Sequence, residues 1–223
     1  MFTDFTTSSK WIGTLGVIAI LAVSLASGVT YLSALTLLGG LLGFLSVIQI
    51  VNRNWWAGIT GTLSAFIYIV IAIIAKNPSD AILNVVFLVA LDIPIILNRE
   101  WQHDAEPNSI TGKQGLALLA IFVVAFLGLH FMESYLLNAP RAIWSPLAAT
   151  LGIVAAVSTG YMRVKQGFFI WSAQNVLQVV LWSITASMGD ATWVMAVTYL
   201  FYTLNAGSSF FNGKWFAKKE EVA

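Results

Sequence analysis

Eight long apolar runs, separated by short polar breaks, occupy almost the whole of the 223-residue sequence. They cover residues 11–27, 29–51, 55–75, 81–98, 114–136, 142–164, 167–188 and 191–211. A run of about 17 to 25 residues is long enough to cross the hydrocarbon core of a bilayer as a helix. The sequence therefore predicts a polytopic integral membrane protein.

The spanning segments are expected to be helices. Backbone groups in lipid must bond to each other, so a segment spans either as an α-helix or as part of a closed β-barrel. Barrel strands alternate apolar and polar side chains, whereas residues 65–75 do not alternate. Charged residues make up 9% of the chain, against roughly 25% in a soluble domain. We therefore predict an all-α membrane bundle.

The composition excludes several kinds of site. Cysteine is absent and histidine occurs twice, which rules out disulfides, thiol nucleophiles and His- or Cys-rich metal centres. The net charge is +1 and the basic residues are scattered, so nucleic acid is not an expected partner. The sequence has no phosphate-binding Gly-Lys loop, HExxH pair or GxSxG elbow. We expect no enzymatic activity, no cofactor and no metal site.

Lysine and arginine divide unequally between the two sides once the last seven runs are threaded through a bilayer. One side receives Arg53, Arg99, Lys113, Arg163, Lys165, Lys214, Lys218 and Lys219, and the other receives Lys76 and Arg141. Because cytoplasmic loops carry excess Lys and Arg, the first side, with the C-terminus and loop 99–113, is expected to be cytoplasmic. The first run, 11–27, is expected to be a span, an interfacial helix or a signal-like anchor.

Two groups of three runs show faint internal similarity. A shift of 109 residues aligns Gly43 with Gly152 and Gly58 with Gly167. One run links the groups, so both have the same orientation and form parallel repeats; chance similarity between Leu- and Gly-rich helices is the alternative. The predicted division is an N-terminal hydrophobic helix 1–28, a first repeat 29–101, a cytoplasmic loop and linking helix 102–141, a second repeat 142–215 and a cytoplasmic tail 216–223.

A polar and aromatic stripe runs along 167–188. At 3.6 residues per turn, Trp171, Asn175, Gln178 and Trp182 fall within an arc of roughly 60°, with Gln174 at the margin. Such side chains are costly in lipid unless they face an interior or a cavity. The stripe predicts one wall of a ligand pocket.

The next run carries a second stripe, because Thr198, Tyr202, Asn205 and Ser209 share one helical face. Two facing stripes predict a small hydrated cavity, and hydrogen bonding between helices, at about 0.6 to 2 kcal/mol per group, is the alternative. Under the 109-residue shift the counterpart of Asn175 is Phe66. The site is therefore expected to be built mostly from the second half.

Asp92 is the main candidate for a carboxylate inside a span, two residues before the helix-breaking Pro94. It is expected either to face a cation or the central pathway, or to be protonated or bonded to a neighbour. Asn84, Tyr68 and Gln49 are interpreted as packing residues. Glu133 and His130 are interpreted as interfacial.

The segment Trp171-Ser-Ala-Gln-Asn-Val-Leu-Gln-Val-Val-Leu-Trp182, Asn205 with the aromatic Phe210 and Phe211, and the three-plus-one-plus-three arrangement resemble the PnuC nicotinamide riboside transporters over 29–215. The resemblance implies a bacterial inner-membrane transporter with a fold like that of SWEET sugar transporters. It also implies uptake of nicotinamide riboside, a precursor of NAD, by facilitated diffusion, coupled functionally to a cytoplasmic riboside kinase. Trp171, Asn175 and Asn205 match the family pattern. Where the family tends to have an amide in the third helix of the first half, this sequence has Asp92 nearby.

A pyridinium ring is expected to stack on Trp182 by cation–π attraction, with the amides of Asn175, Gln178 and Asn205 on the carboxamide and ribose. The predicted substrate site is Trp182, Asn175, Gln178, Trp171, Asn205, Tyr202, Thr198, Gln174 and Asp92. The expected mechanism is alternating access about a site at the middle of the bilayer. The alternatives are a sugar or other vitamin transporter on the same fold, a membrane enzyme using Asp92 and Tyr202, or a structural membrane protein; the oligomeric state stays open.

Overall fold

The structure is a computed structural model that describes residues 5–28, 30–98, 107–212 and 214–216. Its helices in chain order are α1 (Thr7–Ala26), α2 (Tyr31–Val51), α3 (Trp56–Ile74), α4 (Pro78–Leu97), α5 (Gly112–Leu136), α6 (Trp144–Ala156, continued by Val157–Tyr161), α7 (Gly167–Ser187) and α8 (Val194–Asn212). The described residues contain no strand beyond one isolated bridge between Asn108 and Val164. The all-α prediction is confirmed.

Side chains are distributed as a bilayer requires. Within the described residues, six helices, α1 to α5 and α7, are long and apolar enough to cross a membrane. Large apolar residues such as Leu116 and Val124 are about 70% exposed, whereas Gln49, Gln174 and Gln178 are fully buried. Lipid solvates apolar side chains as well as a protein interior does, so the polar groups are the ones that need the interior.

Six helices form a closed ring in the order α2, α3, α4, α6, α7 and α8, with α8 packed back against α2. The halves α2–α4 and α6–α8 therefore meet along two seams, α4 with α6 and α8 with α2. The linking helix α5 packs outside the ring on α6, and α1 packs outside on α2 and α8. This is the predicted three-plus-one-plus-three arrangement with an additional N-terminal helix.

The turns of the two halves repeat the same backbone conformation. Arg53 and Arg163, each in the first turn of its half, both have φ of 53°. Lys76 and Gly189, each in the second turn, have φ of 55° and 79°. Left-handed residues at matching positions support parallel repeats, because an L-residue such as Arg adopts this conformation at a cost of about 1–2 kcal/mol.

Helix α1 runs along the bundle. At its beginning, the Thr6 amide donates to Asn52 Oδ1 (2.8 Å), and Asn52 Nδ2 donates to Ser9 Oγ (2.9 Å). Further along, Gly16 lies so close to the rings of Phe44 and Phe201 that a methyl group would clash with Phe44. Of the three interpretations of this segment, the structure favours a span, because α1 follows the length of α2.

The ends of α2, α4, α6 and α8 lie on one face, which we call the basic face; the other is the opposite face. The segment before α5 is tied there, since the Asn108 amide donates to the Arg163 carbonyl (2.8 Å) and the Lys165 amide donates to the Asn108 carbonyl (3.1 Å). Of the predicted basic cluster, Arg53, Lys113, Arg163, Lys165 and Lys214 are described here. Arg99, Lys218 and Lys219 lie outside the described residues.

Two wide π-helical turns pack against each other, Leu88–Asp92 in α4 and Val157–Tyr161 in α6. Pro94 has no N–H to bond the carbonyl of Ala90, which disfavours a regular helix at this point. Gly160 allows the close approach, because a Cβ there would clash with the Ala90 carbonyl. The turn in α4 sets the orientation of Asp92.

Tryptophans near the ends of membrane helices are enriched at the interface, and those described here follow this trend in part. Trp11 is 67% exposed and Trp193 is 49% exposed, as interfacial residues should be. Trp215, however, is 4% exposed, packs on Phe168 and donates its indole N–H to the Ile50 carbonyl (2.9 Å). Trp215 therefore closes the bundle at the basic face. Trp101 lies outside the described residues.

Candidate functional site

A cavity of about 50 Å³ lies inside the ring between α2, α3, α4, α7 and α8. Its polar and aromatic lining comprises Ser46, Ser64, Tyr68, Asn84, Phe87, Asp92, Trp171, Gln174, Asn175, Tyr199 and Tyr202. The lining comes from both halves and extends from the middle of the bundle toward the basic face. Specificity groups of a small-molecule site are concentrated in such concave, largely enclosed places.

Five of the predicted site residues line this cavity: Trp171, Gln174, Asn175, Tyr202 and Asp92. Trp171 is held in place from two sides. Its indole N–H donates to Thr159 Oγ1 (3.0 Å), and its ring lies 5.3 Å from the ring of Phe87. The indole therefore presents a fixed aromatic surface.

Amide groups on the cavity wall lack hydrogen-bond partners. Gln174 has none on either side-chain polar atom, and Asn175 Oδ1 and Asn84 Oδ1 have none either, although all three residues are at least 98% buried. An unsatisfied buried polar group costs about 1–3 kcal/mol, so most native ones have a partner. Groups kept in this condition on a cavity wall are suited to bind a polar ligand.

Three further predicted residues bind other parts of the protein. Gln178 donates to Asp80 Oδ1 (2.5 Å), Thr198 to the Val194 carbonyl of its own helix (2.8 Å), and Asn205 to the Val47 carbonyl (3.2 Å). None of the three lines the cavity. These contacts agree with the alternative that the three polar side chains serve helix packing. Their contact with substrate stays a prediction.

Trp182 is also away from the cavity. It is fully buried in an apolar cluster with Tyr68, Met195 and Tyr199, seven residues or about two turns along α7 from Asn175 toward the opposite face. In this conformation no ligand in the cavity would touch its ring, so stacking on Trp182 stays a prediction that requires the cavity to extend.

The expectation that the second half supplies most of the site is wrong for this cavity. Asn84 and Asp92 of α4 and Ser46 and Ser64 of α2 and α3 all line it. The 109-residue comparison tested only α3, where Phe66 is 59% exposed and faces outward. The first half instead contributes through α4, and Asn84, interpreted from the sequence as packing, is one of its contacts.

Asp92 lies 2% exposed on the wall, at the contact between α3 and α4. Gly61 creates the space for it, because a Cβ at Gly61 would clash with the carboxylate and lie 2.9 Å from Ser46 Oγ. One acidic residue, Asp92, is present among the described residues that line the cavity, and none of those residues is basic. The cavity therefore favours a cationic or neutral solute.

The two ends of the cavity are closed by different contacts. Toward the opposite face, Tyr68 of the first half and Tyr202 of the second share a hydrogen bond between hydroxyls (3.0 Å). Toward the basic face a second cavity of about 20 Å³ is lined in part by Phe168 and Trp171, and the ring of Trp215 packs against Phe168. Ligand pockets usually measure about 300–1,000 Å³, so a drug-sized solute requires this closed cavity to widen.

One polar cluster was missed by sequence analysis. Glu133, expected at the interface, is fully buried and accepts hydrogen bonds from the Ser79 amide (2.9 Å) and Ser145 Oγ (2.8 Å). Asp80, which lies just outside the apolar run 81–98, is also fully buried. Its sequence position resembles a solvated loop, so only Pro78 beside it, at the beginning of α4, marks it as helical.

Residues 33–217 match the family model described as nicotinamide mononucleotide transporter. The fold is similar to a crystal structure described as the vitamin B3 transporter PnuC, with a TM-score of 0.77, 17% sequence identity, and coverage of 93% of this chain and 91% of the other. At this identity the structural similarity shows the fold. A search among curated proteins gave no significant match.

Proposed function

Because the chain belongs to the nicotinamide mononucleotide transporter family, we propose that it takes up nicotinamide riboside across the bacterial inner membrane by facilitated diffusion. The family and the fold make it a multi-pass membrane transporter of the vitamin B3 type rather than an enzyme. We propose the riboside as the substrate, facilitated diffusion as the mechanism, and the orientation of the chain in the membrane given below.

The charge of the cavity wall favours the riboside over the mononucleotide as the substrate. The riboside has one positive charge on its pyridinium ring, whereas the mononucleotide adds an anionic phosphate. The described lining offers Asp92 and no Lys or Arg. Placing a phosphate in a closed cavity without a cationic partner is costly, while a carboxylate favours a cation in the same place.

The neutral groups of the lining suit the rest of the riboside. Gln174, Asn175 and Asn84 offer the unpaired amide atoms that a carboxamide and ribose hydroxyls need. Trp171 and Tyr199 offer aromatic rings to the pyridinium, which cation–π attraction favours. A sugar would use the same amides without the carboxylate.

The two seams of the ring support alternating access as the mechanism. Rocking of α2–α4 against α6–α8 would break contacts such as the Tyr68–Tyr202 bond and widen the cavity at one face. The sequence has no nucleotide-binding loop to drive such motion. A cytoplasmic riboside kinase would keep the flux inward by converting the product into an anion.

The basic face is proposed to be cytoplasmic, which places the C-terminus inside. The described residues put Arg53, Lys113, Arg163, Lys165 and Lys214 there, while Lys76 and Arg141 of the opposite face are both paired with Asp190. The asymmetry of Lys and Arg between loops sets orientation in multi-pass proteins.

Uptake into liposomes tests the proposal. Purified protein should admit labelled nicotinamide riboside without ATP or an imposed ion gradient, and internal riboside should equilibrate with the outside. Labelled nicotinamide mononucleotide and sucrose serve as competitors and should compete weakly. A strict requirement for a proton gradient would refute facilitated diffusion, and preferred uptake of the mononucleotide or of sucrose would refute the substrate.

A further inference from the structure

Two buried carboxylates lie together near the opposite face, outside the cavity wall. Asp80 is in the first turn of α4 and Glu133 in the last part of α5, and both are fully buried. Glu133 bonds to the amide of Ser79, the neighbour of Asp80, and its charge acts on Asp80. Neither carboxylate takes part in the ion pairs found among the described residues.

Each carboxylate uses one oxygen and leaves the other unpaired. Asp80 Oδ1 accepts from Gln178, while Oδ2 has no partner. Glu133 Oε1 accepts from the Ser79 amide and from Ser145, while Oε2 has no partner. An ionised carboxylate is strongly penalised away from water unless a positive charge accompanies it.

Residues that contact or flank Asp80 have neutral oxygens without hydrogen-bond partners. The Gln178 amide donates through Nε2 to Asp80, so its unpaired Oε1 lies beside the same carboxylate. Ser79 Oγ and Asn84 Oδ1 are unpaired as well, and Asn84 Nδ2 bonds to the Asp80 carbonyl. A group of oxygen ligands without nitrogen or sulfur is the set that hard cations prefer.

The charges at this end of the bundle do not balance. Arg141 and Lys76 supply two positive charges, and Asp190, Asp80 and Glu133 supply three negative charges, which leaves one negative charge in excess. Arg141 and Lys76 both pair with Asp190 rather than with the buried carboxylates. One monovalent cation would balance the cluster.

The remaining groups around Asp80 do not supply that charge. Arg141 is directed to the Asn77 side chain (2.7 Å) and to the carbonyl of Ala75. The hydroxyls of Tyr68 and Tyr199 lie near enough for the charge of Asp80 to act on them, but a phenol supplies no positive charge. Helix α7 has no titratable side chain, and the titratable residue of α6, Tyr161, lies at the basic face. On α5, His130 lies one turn before Glu133, and its Nδ1 is 2.6 Å from the Ala142 carbonyl.

We propose that Asp80 and Glu133 together hold one small monovalent cation, a sodium ion or a proton, beside the substrate cavity. The site is coupled to the cavity through two residues. Gln178 is one turn from Gln174 on α7, and Asn84 is one turn from Asp80 on α4 and lines the cavity itself. A bound cation fixes these amides and stabilises the closed bundle, whatever the identity of the transported solute.

Thermal unfolding of the purified protein in detergent, without substrate, tests the site. Sodium chloride is titrated against N-methylglucamine chloride at constant ionic strength, at pH 8 and at pH 6. A sodium site predicts a saturating rise in Tm with sodium at pH 8. A shared proton predicts a higher Tm at pH 6 than at pH 8 without sodium. A Tm that responds to neither ion overturns the proposal.

Variants assign the response to the pair. Asp80→Asn removes one charge while keeping the shape, so it should fold and lose most of the dependence on sodium or on pH; Glu133→Gln should do the same. Asp92→Asn removes a buried carboxylate outside the pair and leaves the charges at the opposite face unchanged, so it should retain the response. A response that persists in both Asp80→Asn and Glu133→Gln overturns the assignment. Because no substrate is present, the outcome is separate from that of the uptake experiment.

Discussion

Buried polar residues of this bundle differ in their hydrogen-bond partners. Asn205 and Gln174 are both fully buried amides in neighbouring helices, and sequence alone treats them alike. Asn205 donates to a backbone carbonyl of α2, whereas Gln174 makes no hydrogen bond and faces the cavity. The difference between packing and ligand binding therefore depends on the partner of each amide.

Replacing Asp92 with Asn should weaken binding of nicotinamide riboside about tenfold or more, which corresponds to about 1.4 kcal/mol. The reason is the loss of attraction between the carboxylate and the pyridinium charge in a poorly solvated cavity. Calorimetry with the cationic riboside and with its uncharged dihydro form measures the effect. The dihydro form should bind the variant as well as it binds the parent protein.

Two results would contradict this role of Asp92. Equal weakening of both ligands would indicate that Asp92 shapes the wall rather than attracting charge. The variant Asp190→Asn serves as the control, because it removes the same charge from the turn before α8, outside the cavity lining, and should leave both affinities unchanged.

Among the helices, glycine decides where α2 can approach its neighbours. Gly39 and Gly43 are four residues apart on α2, and both lie in close contact with neighbouring helices. The Gly39 carbonyl accepts from Ser64 Oγ (3.1 Å), and a Cβ on Gly43 would clash with the Tyr202 hydroxyl. Small residues at such contacts hold membrane helices together by van der Waals packing and short hydrogen bonds.

Gly43→Ala should destabilise the protein by about 1–3 kcal/mol, as overpacking does in a dense core. The added methyl group would clash with Tyr202 and lie 2.6 Å from Ser64 Oγ. Thermal unfolding in detergent measures the change. Gly207→Ala in α8 is the matched control, since nothing lies within 4 Å of its Cβ, and it should be neutral or slightly stabilising. Similar losses in both variants would contradict the packing argument.

Asp190, in the turn before α8, makes a pH-dependent contact with Arg141 in the loop between α5 and α6. The hydrogen bond from Arg141 (3.1 Å) and then the contact with Lys76 lower the pKa of Asp190 from its usual 3.8. Because the pKa is lower in the folded state, this contribution to stability is complete above pH 3.8 and is lost as the pH falls through the folded value.

Unfolding of the parent protein between pH 5 and pH 3 should therefore show an acid-sensitive component that Asp190→Asn lacks. The variant should also have a lower Tm at pH 7, because the buried Arg141 loses its charged partner. Identical acid profiles for the two proteins would show that the Asp190 contact does not contribute.

At the scale of the whole molecule, the two halves touch at the opposite face through Thr36 of α2 and Thr192 before α8, whose hydroxyls are 3.0 Å apart. Alternating access requires this contact to separate when the opposite face opens. The chain has no cysteine, so an engineered pair would be the only thiols present.

The double variant Thr36→Cys with Thr192→Cys should lose riboside uptake on oxidation and regain it on reduction. The separation of the side chains is compatible with the geometry of a disulfide. Each single cysteine variant is the control and should transport equally in both conditions. Undiminished uptake by the crosslinked protein would contradict rocking of the halves about the central cavity.

The class of the fold was predictable from the sequence alone. Eight apolar runs without alternation leave only helices in lipid, and their order gives two halves around one linking helix. The same reasoning placed Trp171, Gln174 and Asn175 on an inward face of α7, because helical spacing fixes which residues share a face. These predictions depend on local periodicity, which tertiary structure does not change.

Which inward residues meet the cavity depends on how the helices pack together. Trp182 and Asn175 share one stripe, but two turns along α7 bring Trp182 into an apolar cluster instead. Asp80 and Glu133 are 53 residues apart, and the packing of α4 and α5 against their neighbours buries both near one backbone amide. Helical periodicity gives the direction of a side chain around its own axis, whereas its depth and its partners depend on how neighbouring helices are rotated and shifted, which no local pattern encodes.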